Sequence, residues 1–315
     1  MQSLKKPRRQ NVPGNVFVDE SCIDCDACRW MCPGTFSRVG IKSAVVKQPL
    51  EKDEKIAAYL AMIACPTGSI RLVSPDILVK DALDTFPIAV DADSIPGVLH
   101  LGFHSSETYG ATPYLIKRSS GNIMIDTPRY NSRLADLIEA EGGLRYIVLT
   151  HRDDVFDHDR WKLRFPSAQR IMHRLDCSKH SKTNECEVLL EGEGQWEPDT
   201  DVLLIHTPGH TPGSICVQVR TDKETVLFSG DTLAFSSTKK RLEGFKRYNS
   251  GSMLAQASSI RQLAHENFPF TWILPAHGRI SRFDSNADKR TMVLKAAADF
   301  EKEDEDTDVL GIGYY

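Results

Sequence analysis

The sequence lacks any apolar run near the ~18–20 residues that a membrane-crossing helix needs, so no membrane partner is expected. It also lacks a charge excess of either sign. Lys and Arg total 39 against 43 Asp and Glu, a net −4, too little for a general attraction to nucleic acid or anionic lipid. The opening MQSLKKPRRQNVPGN is basic but has no apolar core behind it, which argues against a secretory signal. An even spread of cysteine is missing too. Five of the eight fall between Cys22 and Cys65, while Cys177, Cys186 and Cys216 are scattered. This is not a disulfide framework, and a reducing compartment, cytoplasm or organelle interior, is expected. Cys216, in SICVQV, reads as a small buried hydrophobe.

What is present begins with CIDCDACRWMCP. Cys22, Cys25, Cys28 and Cys32 follow the C-x-x-C-x-x-C-x-x-x-C-P spacing of bacterial ferredoxins. Three sulfurs within seven residues suit three corners of an iron–sulfur cube, whereas structural zinc sites usually split their ligands into separated pairs. In this pattern the run's fourth cysteine serves a second cluster, and the first cluster draws its last ligand from a distant C-P. That C-P is Cys65-Pro66, but the rest of a second motif is replaced by EKDEKIAAYLAMIA, with Ile56, Ala57, Leu60 and Ile63 at helical spacing. The expectation is one [4Fe–4S] cluster on Cys22, Cys25, Cys28 and Cys65, with Cys32 left over. Residues 13 to about 75 resemble single-cluster bacterial-type ferredoxins. The boundary is placed near residue 80, in a stretch of Pro, Asp and Gly with no long period.

Farther on, apolar β-like runs each lead into a candidate ligand. YIVLT runs into His151, LLIHT into PGHTPGS with His210, TVLFSG into Asp231, and WILPA into His277. Between the hairpin-like YLIKRSSGNIMIDTP and YIVLT, SRLADLIEAEGG reads as a helix capped by Ser132 and stopped at Gly142. Ligands at strand ends can converge on one sheet edge although far apart in sequence.

The order TH…DH, HTPGHTPGS, FSGDT, PAHG resembles the metallo-β-lactamase superfamily over about residues 86 to 285. The resemblance implies a four-layer αβ/βα sandwich with two metals at one edge. The fold class expected for the chain is therefore an α+β ferredoxin-like domain followed by that sandwich. The expected organisation is a flexible arm (1–12), a ferredoxin domain (13–80), the sandwich (81–298) and an acidic tail (299–315).

Residue by residue, the resemblance implies metal ligands His151, Asp157, His158, His210, Asp231 and His277. Asp153 stands where the family's H-x-H-x-D-H motif has its second histidine, and two extra residues precede the Asp157-His158 pair. Asp153 or Asp154 is then the inward-facing carboxylate, and the sequence leaves that choice open. His100, His104, His173, His180, His206 and His265 are read as packing or surface histidines, with His206 close enough to rival His210.

A carboxylate in place of an imidazole adds negative charge and a hard oxygen donor, which suits iron or manganese at least as well as zinc. It also weakens the Lewis acidity on which a zinc hydrolase depends to lower its water pKa towards about 7. The motif partly resembles the H-x-E-x-D-H of flavodiiron oxygen and nitric oxide reductases. The expected function is a redox protein whose cluster feeds a non-haem dimetal centre, with iron favoured over zinc or manganese. It would act on a small molecule such as dioxygen, nitric oxide or peroxide, with an electron-donor protein as partner. The alternative is a dinuclear zinc hydrolase of esters or thioesters, in which Asp157 orients the nucleophile and the cluster is structural or sensing. The run STKKRLEGFKRYNSGS is read as a solvated basic face, or else as a receiver of an anionic substrate or acidic partner.

Overall fold

The computed structural model describes residues 6–246 and 248–302. The first five residues of the expected arm, Arg247 of the basic run and the acidic tail beyond 302 lie outside the described residues.

The N-terminal unit runs β1 (Val16–Val18), α1 (Ala27–Met31), the hairpin β2 (Phe36–Val39) and β3 (Lys42–Val45), α2 (Lys52–Ala64) and β4 (Ile70–Leu72). β1 pairs antiparallel with β4, Val16 opposite Leu72. Glu51 and Glu54 form a reciprocal capping box that starts α2. Pro66 cannot continue the helix and biases Cys65 out of helical geometry, so α2 ends where the distant cysteine is needed. Val16, Val18, Phe36, Val45, Ala58, Tyr59, Ala61 and Ile70 make a small core.

Two expectations are corrected here. Residues 7–12 are not a loose arm: Arg8 donates its amide to Val18 O at 2.9 Å and its guanidinium to the carbonyls of Val39 and Ser43. The Asn11 amide spans Arg8 O and Val18 O. The stretch around residue 80 contains α3 (Leu78–Thr85), whose Leu78, Val79 and Ala82 pack into the N-terminal core. Two turns are too few for a period to stand out.

The larger unit continues with β5 (Ile88–Ala89), β6 (Val98–His100), β7 (Tyr114–Ile116), β8 (Asn122–Ile125), α4 (Ser132–Ala140), β9 (Leu144–Val148), α5 (His158–Arg164), β10 (Gln169–His173) and β11 (Val188–Leu190). These strands form one seven-stranded sheet in the order β11-β10-β9-β8-β7-β6-β5. Next come β12 (Gln195–Asp199), β13 (Val202–His206), β14 (Ile215–Arg220), β15 (Thr225–Gly230), the separate hairpin β16 (Ala234–Ser236) and β17 (Arg241–Glu243), α6 (Met253–Leu263), β18 (Trp272–Pro275), β19 (Ser281–Arg282) and α7 (Asn286–Lys302). The second sheet has the order β12-β13-β14-β15-β18-β19.

Strand alternation decides the layers. Ile123, Ile125, Tyr146 and Val148 face the second sheet and meet Leu204, Val217, Phe228 and Leu274. Their neighbours Met124 and Ile147 point the other way, against Leu134 and Ile138 of α4 and Trp161 of α5. Ile205, Cys216, Leu227 and Ile273 face outward onto Ile260 of α6 and Val293, Ala297 and Phe300 of α7. The result is the expected αβ/βα sandwich, with Cys216 buried as a small hydrophobe. Leu60, Ile63 and Ala64 of α2 also enter the first outer layer. The ferredoxin unit therefore completes one layer of the sandwich. α4 is capped by Asn131, which accepts from Leu134 N at 3.0 Å, one residue before the Ser132 expected there.

Candidate metal centre

β8 runs parallel to β9 and β15 runs parallel to β18, so the segments following each pair leave their sheet at a common edge. Behind β8, Asp126 accepts from Thr150 N at 2.8 Å and from its hydroxyl at 2.9 Å. Burial pushes the Asp126 carboxyl up to about 7, against the pull of these two donors. When Asp126 is ionised, the single hydroxyl proton of Thr150 goes to it. Thr150 Oγ1 must then accept from His151 Nδ1 at 3.0 Å, leaving His151 Nε2 bare. That is the tautomer a metal ligand requires.

The loop carrying His210 is pinned by Asp176, which accepts from Gly213 N at 2.8 Å, from the Thr211 hydroxyl and from Arg152 N at 3.1 Å. A Cβ on Gly213 would lie 2.7 Å from the Asp176 carboxyl carbon, so this close approach needs glycine.

Four sheet-edge segments converge. Asp153 Oδ2 lies 3.4 Å from His210 Nε2 and 3.9 Å from His151 Nε2. Asp231 Oδ2 lies 3.7 Å from His151, 3.6 Å from His210 and 3.9 Å from His277, all at Nε2. Asp154 lies 3.9 Å from both His151 and His277. The structure thus gathers His151, Asp153, His210, Asp231 and His277, and it answers the open choice by turning both carboxylates inward. Asp153 is half-exposed at the rim and Asp154 is buried.

Asp157 and His158 are not brought into this group, contrary to expectation. The two extra residues let the loop turn after Asp154, with Val155 sinking into the outer core. Asp157 adopts a left-handed φ of 63° ahead of α5 and accepts from Tyr130 N at 2.8 Å. His158 Nε2 donates to Ser181 O at 2.8 Å, so its Nδ1 carries the lone pair and accepts from Arg170 at 3.2 Å. Both ring nitrogens are engaged away from the centre. His206 is not a rival to His210 either: it stacks on His173 at 4.3 Å and bonds Pro212 O.

The donor set fits cations. His151 Nε2, Asp154 Oδ2 and Asp231 Oδ1 are buried without hydrogen-bond partners. Unpaired buried carboxylates cost several kcal/mol each. Burial, followed by the charges of Asp231, Asp126 and Asp153, pushes Asp154 well up. Two groups, His151/Asp153/His210 and His151/Asp154/Asp231, each present ligand atoms within 4.8 Å of one another. Phe245, which sequence reasoning missed, is buried, with its ring centroid 6.2 Å from that of His210 and 6.1 Å from that of His277. The basic run is partly neutralised: Glu243 pairs with Lys239 and Arg241, each at 2.8 Å.

The second constellation is the cysteine cage. Cys22, Cys25, Cys28 and Cys65 line one cavity with Ser43, Thr67 and Ser69. Cys65 Sγ accepts from Ser69 N at 3.3 Å, and Cys22 Sγ from Asp24 N at 3.5 Å. Burial pushes the Cys28 thiol up to about 12, so four thiolates here need a cationic core. Cys32 packs into the N-terminal core instead.

Between cage and metal centre lies the 105–112 loop, which carried no sequence signal. A Cβ on Gly110 would lie 3.1 Å from Cys25 Sγ. Tyr109 donates its hydroxyl to Ile23 O at 2.6 Å, and its ring centroid is 6.4 Å from that of His277. Asp26, beside Cys25, takes a two-point bond from Arg279 at 2.7 and 3.0 Å.

Residues 18–72 match the profile of the 4Fe-4S single cluster domain of Ferredoxin I, and residues 181–269 match that of the metallo-beta-lactamase superfamily. The latter segment holds His210 and Asp231 and lies between His151 and His277. An N-acyl homoserine lactonase from Bacillus sp is 27% identical over 155 residues, 44% of this chain. The chain spans about 60% of that relative's length. The crystal structure of the DIM-1 metallo-beta-lactamase exposed to ceftazidime superposes with a TM-score of 0.51 at 17% identity, covering 66% of this chain and 96% of that one. A metallo-beta-lactamase from Hirschia baltica gives 0.49 at 14% identity, over 65% and 96%. The chain is a fusion of a single-cluster 4Fe-4S ferredoxin domain with a domain of the metallo-β-lactamase fold. Among the described residues no helix is long and apolar enough to cross a membrane.

Proposed function

We propose that this chain is a redox metalloprotein whose ferredoxin domain delivers single electrons to a two-cation centre held by His151, Asp153, Asp154, His210, Asp231 and His277. Asp154 takes the ligand role that the resemblance gave to the Asp157-His158 pair. The observation that carries this reading is the shared wall: the loop touching Cys25 through Gly110 also touches His277 through Tyr109. A purely structural cluster has no need to lie there. Three carboxylates with three imidazoles make a mixed oxygen and nitrogen set that suits iron or manganese at least as well as zinc, and iron is favoured. The substrate is a small oxidant such as dioxygen, nitric oxide or a peroxide, and an external donor protein reloads the cluster.

A bound pair of redox-active ions would supply electrons to that oxidant at close range. The chain's own residues set the stage. Asp126, when ionised, fixes the His151 tautomer through Thr150, Asp176 and Gly213 hold the His210 loop, and Phe245 packs an apolar ring beside His210 and His277. Asp153, half-exposed, stands at the mouth.

Anaerobic purification with metal analysis and electron paramagnetic resonance tests the proposal. About six irons per chain, four of them in the cubane, are expected. Four irons with two zincs would overturn it in favour of a hydrolase. That second reading draws on the N-acyl homoserine lactonase match, and lactone hydrolysis by the zinc form would support it.

A further inference from the structure

We infer that Tyr109 is the electron bridge between the cluster and the metal centre, a positioning residue that rests on the redox reading above. Its hydroxyl is fixed on the cluster-binding loop at Ile23 O, 2.6 Å away, and its ring packs towards the His277 imidazole at 6.4 Å between centroids. One side chain therefore spans from the loop of Cys22 and Cys25 to a metal ligand. Electron tunnelling falls off exponentially with distance and faster through gaps than through packed atoms. A conjugated ring filling this gap is the efficient arrangement.

The surrounding loop is built to hold that ring. Gly110, at φ +88°, has no room for a side chain, because a Cβ would sit 2.9 Å from Cys25 Cβ and 3.1 Å from Pro66 Cγ. Gly110 N donates to Ser105 O at 2.8 Å. Gly110 O accepts from His104 Nδ1 at 2.9 Å. A carbonyl only accepts, so His104 Nδ1 carries the proton and its Nε2 accepts from His100 Nε2 at 2.7 Å. On the far side, Thr112 N donates to Ala276 O at 2.8 Å, one residue before His277. The Asp26–Arg279 pair clamps the cysteine loop itself to the segment after His277. Each transfer takes one electron from the reduced cluster and converts one ferric ion at the histidine centre to ferrous. No bond is made or broken, and no proton needs to move.

The test uses the full-length holoprotein. The cluster is reduced photochemically with iron in the histidine centre held ferric, and its reoxidation is followed by visible absorbance. Zinc-loaded protein, which has no internal acceptor, should stay reduced. Tyr109→Leu should slow reoxidation by about tenfold or more, while Tyr109→Phe, which keeps the ring, should stay within about threefold of wild type. Manganese loaded in the centre provides an independent readout: its paramagnetism should speed spin relaxation of the reduced cluster equally in all three proteins, showing that the sites have not moved apart. If Leu loosens the interface, the Phe variant decides. Reoxidation of Tyr109→Leu at the wild-type rate, or a Phe variant as slow as Leu, overturns the bridge and leaves the redox function standing. Absence of internal transfer in the iron-loaded wild type instead overturns the redox function itself.

Discussion

Replacing Asp154 with Asn should change stability in opposite directions with and without metal. Ligand atoms of Asp154 and Asp231 lie within 4.8 Å of each other. At an effective dielectric of about 20, two carboxylate charges at that separation repel by about 3.5 kcal/mol. Proton uptake by Asp154, already pushed well up, relieves part of this, and removing the charge relieves it without a bound proton. The new amide can also donate to Asp231. Metal-free Asp154→Asn should therefore be more stable than metal-free wild type, by about 2–4 °C in Tm per kcal/mol. With divalent cation at about 100 times its Kd, wild type gains about 2.7 kcal/mol. The variant, missing a ligand, should gain little of this. The assay is anaerobic thermal unfolding of cluster-loaded protein, with chelator and with Fe²⁺, Mn²⁺ or Zn²⁺. Asp157→Asn and His158→Gln are the controls and should keep the full metal-induced gain. If Asp157→Asn loses that gain while Asp154→Asn retains it, the placement of the ligands is refuted.

Other consequences follow from the same geometry. Burial holds His104 down at about 3 and His100 well below its ordinary value, so both are neutral when folded, whereas the unfolded chain takes up protons below about 6.5. Stability should then fall as pH drops from 7 to 5, by about 2 kcal/mol for His104, with His100 acting in the same direction. His104→Gln should shrink that loss by about 2 kcal/mol in denaturant midpoints, and an unchanged pH slope would contradict the argument. Gly213→Ala forces a methyl against Asp176 and should release the His210 loop. Cation affinity by calorimetry should drop by about 10–100-fold with the cluster spectrum intact. Trp161→Ala removes a fully buried indole that donates to Pro128 O at 2.8 Å and stacks on Phe165. It should cost about 3–5 kcal/mol without altering the metal content per folded chain.

The cysteine cage and the sandwich were legible in the sequence because their signals are local: fixed cysteine spacing, and β-runs each ending in a candidate ligand. His151, His210, Asp231 and His277 come together as those runs suggest. The 151–158 loop was misread because spacing cannot say where a bulge turns. Val155 is apolar and seeks the outer core, and that preference, invisible to motif alignment, turns Asp154 in and leaves Asp157 to begin a helix. Tyr109, Gly110 and Arg279 were missed for another reason. Each matters only because two domains meet there, and nothing periodic marks a residue whose partner lies up to 253 positions away.

Because Leu60, Ile63 and Ala64 of α2 sit in the same apolar layer as Leu134 and Trp161, the iron–sulfur module is not a bead strung on a tether. Cutting it off would leave a strip of the neighbouring sheet facing water. Heating should dissolve both halves in a single event, and a cell that fails to insert the cluster would forfeit the other centre along with it.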